Sequence, residues 1–167
     1  ADITVWGQVG LKDDWAKRPV SLFGRNSASG TYGFFKDEAL KKGDYKATVK
    51  EQPGSSAVVQ GIATDLGAIG YSGIGYKTSD VRALPLAVEG SKNFVEPTYE
   101  NALSGDYPLT RFLYVYINKK PGASVDPKTI EFLKFALSKQ GQEIVIKDGY
   151  YPLPGEAVSD ALEKLTK

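Results

Sequence analysis

The 167-residue chain contains no cysteine, no histidine and no methionine. Without cysteine there is no thiolate nucleophile and no disulfide framework, and without histidine no imidazole can act as a general base near neutral pH. Metal sites built on either residue type are excluded with them. Nucleophilic catalysis would have to rest on a serine helped by a lysine or a carboxylate. The absence of cysteine also suits an oxidising compartment. The first residue is alanine, the start expected of a processed, trimmed or excised chain. No apolar run approaches the roughly 18 residues of a membrane span. An excess of one charge is lacking too: 21 Lys and Arg stand against 20 Asp and Glu, a net charge of +1. No global field draws the chain to nucleic acid or to an anionic membrane, so any anion preference must be local.

What is present alternates between strand-like and helix-like segments. Val20–Phe23 (VSLF) is apolar and rich in strand formers. A helix is expected from about Ser29 to Leu40, with Tyr32, Phe35, Ala39 and Leu40 on one face and Gly43 at its end. Ser55 or Ser56 can cap a second helix running to about Leu66 and closed by Gly67, followed by a short strand over Ala68–Tyr71. Val81–Val88 reads as a strand that Pro85 confines to an edge, and PTYENALSG as a short helix ended by Gly105. TRFLYVYIN, from Thr110 to Asn118, is the strongest strand signal in the chain. Asp126 and Pro127 form an N-cap and first-turn pair for a helix to about Lys139, with Ile130, Leu133, Phe135, Ala136 and Leu137 as its apolar face. GQEIVIKDGY predicts a shorter helix closed by Gly149, and Val158, Leu162 and Leu165 space a final amphipathic one. The length allows one domain, or a compact lobe with an appendage, and the alternation favours an α/β class.

The stretch GRNSASGTYGFF, Gly24 to Phe35, collects the chemistry. A tetrahedral oxyanion needs several N–H or O–H donors converging from different directions, with one fixed positive charge. Arg25 ends the predicted strand and can offer a planar pair of donors. Ser29 and Thr31 add hydroxyls, Gly30 lets the backbone come close, and the helix start adds free N–H groups and the positive end of its dipole. Ser27 and Ser55 are secondary candidates. The same residues have a plainer reading: Ser27 or Ser29 caps a helix, Gly30 and Gly33 permit a turn, and Arg25 is a solvated charge. Other patterns are weaker. GYSGIGYK lacks the G-K-[ST] ending of a phosphate loop, no G-x-S-x-G elbow surrounds Ser27 or Ser29, and the adjacent Asp13 and Asp14 diverge on any regular element. No catalytic residue, metal ligand or cofactor is assigned.

WGQVGL, FGRNSASGTYGFF, EQPGSSAVVQ, AIGYSGIGYK, YPLTRFLYVYINK and GQEIVIKDGYYPLP occur in this order. Together they resemble the carboxyl-terminal part of the phosphate-binding proteins of ABC phosphate importers, over essentially the whole chain. The resemblance implies one lobe of a type II periplasmic binding protein: a mixed sheet flanked by helices, plus a hinge strand and carboxyl-terminal helices. Residues 1–112 would be the second, ligand-binding lobe and 113–167 the hinge strand and helices that return to a first lobe, whose amino-terminal part is absent. The helix face bearing Leu133 and Phe135 would then be partly exposed or covered by a neighbouring copy.

The resemblance also places second-lobe phosphate contacts on Arg25, Ser29, Gly30 and Thr31. Some relatives carry an Asp two residues after the Arg, where this chain has Ser27. Partners implied are inorganic phosphate, an inner-membrane ABC permease and the missing lobe, and not nucleic acid. The location implied is the periplasm or cell envelope, reached through a signal peptide not present in this chain. The rival readings are a ligand-free interaction, adhesin or scaffold module, and a phosphoryl-handling hydrolase using Ser29.

Overall fold

The computed structural model describes residues 2–166. The chain divides into two compact units, Ala1–Thr110 and Arg111–Lys167. The first is built on a three-stranded sheet of order β2-β1-β3, with β1 at Ser21–Arg25, β2 at Lys50–Gln52 and β3 at Ala68–Gly70. Both pairings are parallel: Phe23 lies opposite Lys50 on one side and opposite Gly70 on the other. Helix α1 (Gly30–Glu38) connects β1 to β2, and α2 (Ser55–Ala63) connects β2 to β3. The α/β class holds. The described sheet is wholly parallel where a mixed one was expected, because each return between its strands is made by a helix.

Val58 and Val59 of α2 are buried, and α2 packs closely against the sheet. That closeness requires Gly61, since a Cβ there would run into the Phe23 ring, and Gly70, where it would meet the Phe23 carbonyl oxygen. A second layer of packing is aromatic. Phe35 of α1 stacks on Tyr71 just past β3, with centroids 4.1 Å apart and planes 7° apart. Tyr45, from the loop between α1 and β2, stacks beside Tyr71 at 5.9 Å and covers Tyr32 at 4.4 Å.

Several boundaries differ from the sequence reading. Helix α1 ends at Glu38 with Ala39 as its C-cap, close to the expected end at Leu40, but the reversal is made by Lys41 and Lys42 at φ 51° and 65° and not by Gly43. Helix α2 is capped by Gly54, not by Ser55 or Ser56, and closes at Thr64 before Gly67. Strand β2 was not anticipated: Lys50–Gln52 is short and polar, without an apolar period. Val81–Val88 forms no strand. Only Leu86 pairs there, antiparallel with Val95, because Pro85 offers no N–H to extend the ladder. Helix α3 (Tyr99–Ser104) follows as expected, with Thr98 as its N-cap and Gly105 at φ 78° as its C-cap.

The second unit contains α4 (Pro127–Leu137), α5 (Lys139–Lys147) and α6 (Gly155–Thr166). Asp126 caps α4 through the Thr129 amide at 2.9 Å, and Ser138 ends α4 and caps α5, so α4 stops short of Lys139. Leu133 is buried, while Phe132 and Phe135 of the same helix are exposed. The expected hinge strand over Thr110–Asn118 is not a strand. Every regular element of this unit is helical, and a strand exists only with a partner to bond. Phe112, Tyr114 and Tyr116 nonetheless have neighbouring rings, at 6.4 Å in both pairs, which is the i, i+2 relation of extended chain.

Two glycines separate packing from propensity. Gly61→Ala forces a methyl against Phe23 and is expected to destabilise the chain by about 1–3 kcal/mol. Gly33 of α1 has open space where a Cβ would sit, so Gly33→Ala is expected to stabilise by roughly 0.5–1 kcal/mol. Urea unfolding of both variants beside the wild type checks the opposite signs.

Candidate functional site

Parallel strands that return through helices start those helices at one edge of the sheet, the carboxyl edge. β1 ends at Arg25 and Ser29 caps α1, while β2 ends at Gln52 and α2 begins at Ser55. A four-residue separation holds Arg25 and Ser29 within about 14 Å of one another. The turn between them is closed by the Ser29 amide donating to the Asn26 carbonyl at 3.0 Å, and the Asn26 amide donates to Gln52 at the end of β2 at 3.3 Å.

Arg25 is held at both ends. Its backbone N–H donates to the Tyr71 hydroxyl at 3.2 Å. Its guanidinium lies against the start of α2, Nη1 donating to Ser55 Oγ at 2.8 Å and Nη2 to the Pro53 carbonyl at 3.3 Å. Nε is shut off from solvent with no acceptor among the described residues. A guanidinium has five N–H donors. With two committed and Nε enclosed, one remains on each terminal nitrogen, the number a bidentate oxyanion contact uses.

At the start of α1, Ser29 Oγ accepts the Thr31 amide at 3.1 Å. That amide is occupied by the cap. The amides of Gly30 and Tyr32 have no acceptor among the described residues, and neither do the hydroxyl protons of Ser29 and Thr31. Tyr32 is a donor that sequence reasoning missed, since a backbone amide leaves no trace in residue type. Ser27 lies exposed in the turn with no hydrogen bond to Arg25. Ser55 is 7 % exposed and touches Arg25 directly. No cluster of acidic residues placed to hold a metal ion occurs among the described residues.

The aromatic stack behind this edge is dry enough to matter. Burial pushes the Tyr45 phenol well above its ordinary value, and its interactions with Tyr71 and Tyr32 push the same way. The Tyr45 hydroxyl donates to the Tyr32 carbonyl at 2.8 Å, tying the stack to the first turn of α1.

Ser29→Ala removes the cap of α1 and is expected to cost about 0.5–2 kcal/mol, measured by chemical denaturation. Tyr45 has a raised folded-state pKa, so its contribution to stability is complete below the unfolded value near pH 10 and declines as pH rises above it. Stability measured from pH 8 to 11 should fall less steeply in Tyr45→Phe than in the wild type.

The chain is similar to known proteins over nearly its whole length. The phosphate-binding protein PstS of Pseudomonas aeruginosa is 56% identical over 164 residues, 98% of this chain and 51% of that protein. Among solved structures, a possible phosphate binding protein from Planctomyces limnophilus superposes with a TM-score of 0.67 at 28% identity, over 99% of this chain and 58% of that one. A protein assigned as a phosphate ABC transporter substrate-binding protein, from Clostridium perfringens and solved with bound phosphate, gives 0.64 at 26% identity, over 91% of this chain and 58% of that one. The chain thus spans about half the length of the curated relatives it matches. The sequence model of the PBP superfamily domain matches residues 1–140, and with its parallel sheet flanked by helices the chain belongs to that superfamily.

Proposed function

We propose that this chain supplies one side of an oxyanion site for phosphate, as part of the solute-binding component of an ABC phosphate uptake system. The observation that carries the reading is Arg25, anchored at the carboxyl edge of the sheet with one donor left on each terminal nitrogen, next to the unsatisfied amides of α1. The PstS relative, a phosphate-binding protein by name, supports the choice of anion. In this reading Arg25, Ser29, Gly30, Thr31 and the Tyr32 amide meet the ligand. The protein binds its solute without chemical turnover, in the periplasm or cell envelope, and hands it to an inner-membrane permease.

Residues 1–112 act as the second lobe and 113–167 as the segment returning to a first lobe. The exposed aromatic and aliphatic side chains of 112–117 favour this assignment, since a strand-forming segment without a ladder is suited to completing a sheet elsewhere. A half-site has limited affinity. Charge-assisted contacts of about 1.5–3 kcal/mol each are set against about 4–15 kcal/mol of lost ligand freedom. Binding in the millimolar range or weaker is expected. Choice of phosphate over sulfate needs a strong acceptor for the phosphate proton, and the proposed contacts include no carboxylate.

The test is a phosphate titration of the isotopically labelled chain followed through its backbone amides, with sulfate in parallel. Shifts centred on Gly30, Thr31 and Tyr32, similar for the two anions and abolished in Arg25→Ala, are the expected outcome. An unresponsive loop in a chain that self-associates would overturn the reading in favour of an interaction module.

A further inference from the structure

Ser55 stands where a helix-capping serine is common, yet it does not cap. Gly54 holds the N-cap position of α2 with no side-chain bond, and Ser55 is the first helical residue. Its hydroxyl is therefore released from the usual duty of serine at a helix start. Instead it accepts Arg25 Nη1 at 2.8 Å from a position that is 7 % exposed, the shorter of the two guanidinium bonds. The Ser55 carbonyl is held by the Ser72 hydroxyl at 3.4 Å, and Val58 and Val59 on the next turn are buried. The acceptor that Arg25 meets is thus mounted on the most firmly packed helix of its unit.

The kind of acceptor matters as much as its place. Among the described residues Arg25 bonds only uncharged groups: a hydroxyl, a peptide carbonyl and the Tyr71 phenol. Arg25 takes part in none of the ion pairs among the described residues. A carboxylate could hold the guanidinium as firmly, but it would spend the positive charge before a ligand arrives. A long, rotamer-rich side chain left unheld would lose its freedom only on binding, at the ligand's expense.

We propose that Ser55 is the positioning residue of this site: it aims Arg25 at the anion while leaving the charge of the guanidinium uncompensated. It acts through Arg25 and does not contact phosphate itself. The inference rests on the phosphate-binding reading above and deepens it.

The experiment compares wild type, Ser55→Ala and Ser55→Thr, each labelled for NMR of the arginine side chains and of the backbone, with inorganic phosphate as the probe. In the free wild-type chain the Arg25 guanidinium protons should be resolved, because the Nη1 bond restricts rotation. In Ser55→Ala they should collapse into the averaged signal of a freely rotating arginine, with phosphate binding weakened about tenfold, in line with the loss of one charged hydrogen bond. Ser55→Thr, which keeps the hydroxyl, should restore both. Helix α2 should survive in all three, since its cap is Gly54.

A wild type that binds phosphate alongside a Ser55→Ala variant that binds equally well overturns the positioning role alone. Equal weakening in Ser55→Ala and Ser55→Thr also overturns it, since loss of packing and not of the hydroxyl would be responsible. A wild type whose Gly30, Thr31 and Tyr32 amides ignore phosphate overturns the binding reading itself, and with it the purpose assigned to Ser55.

Discussion

Because β1 pairs in parallel with both β2 and β3, the chain must travel back along the sheet twice, and it does so through α1 and α2. Both helices therefore begin at the edge where β1 and β2 end. The other features of the site depend on this constraint. It brings Arg25, last in β1, beside Ser55, first in α2, across 30 positions of sequence. It also directs the unsatisfied N–H groups of α1 toward the side on which Arg25 sits. With antiparallel pairing the strand ends would alternate between edges, and neither meeting would occur.

The sheet itself is short, with three residues in β2 and three in β3. Its register is secured by side-chain packing across it. The Phe23 ring fills the space left by the missing side chain of Gly61, and its carbonyl lies where a side chain of Gly70 would stand. On the α1 side, Phe35, Tyr71, Tyr45 and Tyr32 form a continuous stack that ends in two polar contacts, Tyr71 to the Arg25 backbone and Tyr45 to the Tyr32 backbone. Tyrosine suits this task because one end of the ring is apolar and the other can bond a peptide group. The stack is thus both the core under α1 and the support of the loop that precedes it.

The core of each unit is thin. Val58, Val59 and Leu133 are the buried apolar side chains among the described residues, and the segment from Phe112 to Ile117 lies open, Tyr116 at 90 % exposure. Six consecutive strand-forming residues without charge, proline or glycine carry a strong local preference and no partner to satisfy it. Local preference alone cannot make a strand, since the hydrogen bonds that define one belong to two segments at once.

Features that depend on neighbours in sequence were readable from the residues: the Asp126 and Pro127 start of α4, the Gly105 end of α3, the apolar run of β1, and a serine cap on a glycine-rich helix start next to an arginine. Each is settled within a few residues by steric or hydrogen-bonding rules. Tertiary structure decided what those rules do not reach. It made Lys50–Gln52 a strand by offering β1 as a partner, left Thr110–Asn118 outside any strand, and broke Val81–Val88 down to a single bridge. It also gave the two secondary serines different fates. Ser27, close to Arg25 in sequence, points into open turn, whereas Ser55, far from it, closes on the guanidinium. A side chain's partner is chosen by where the backbone is carried, and in this chain the parallel sheet carries it.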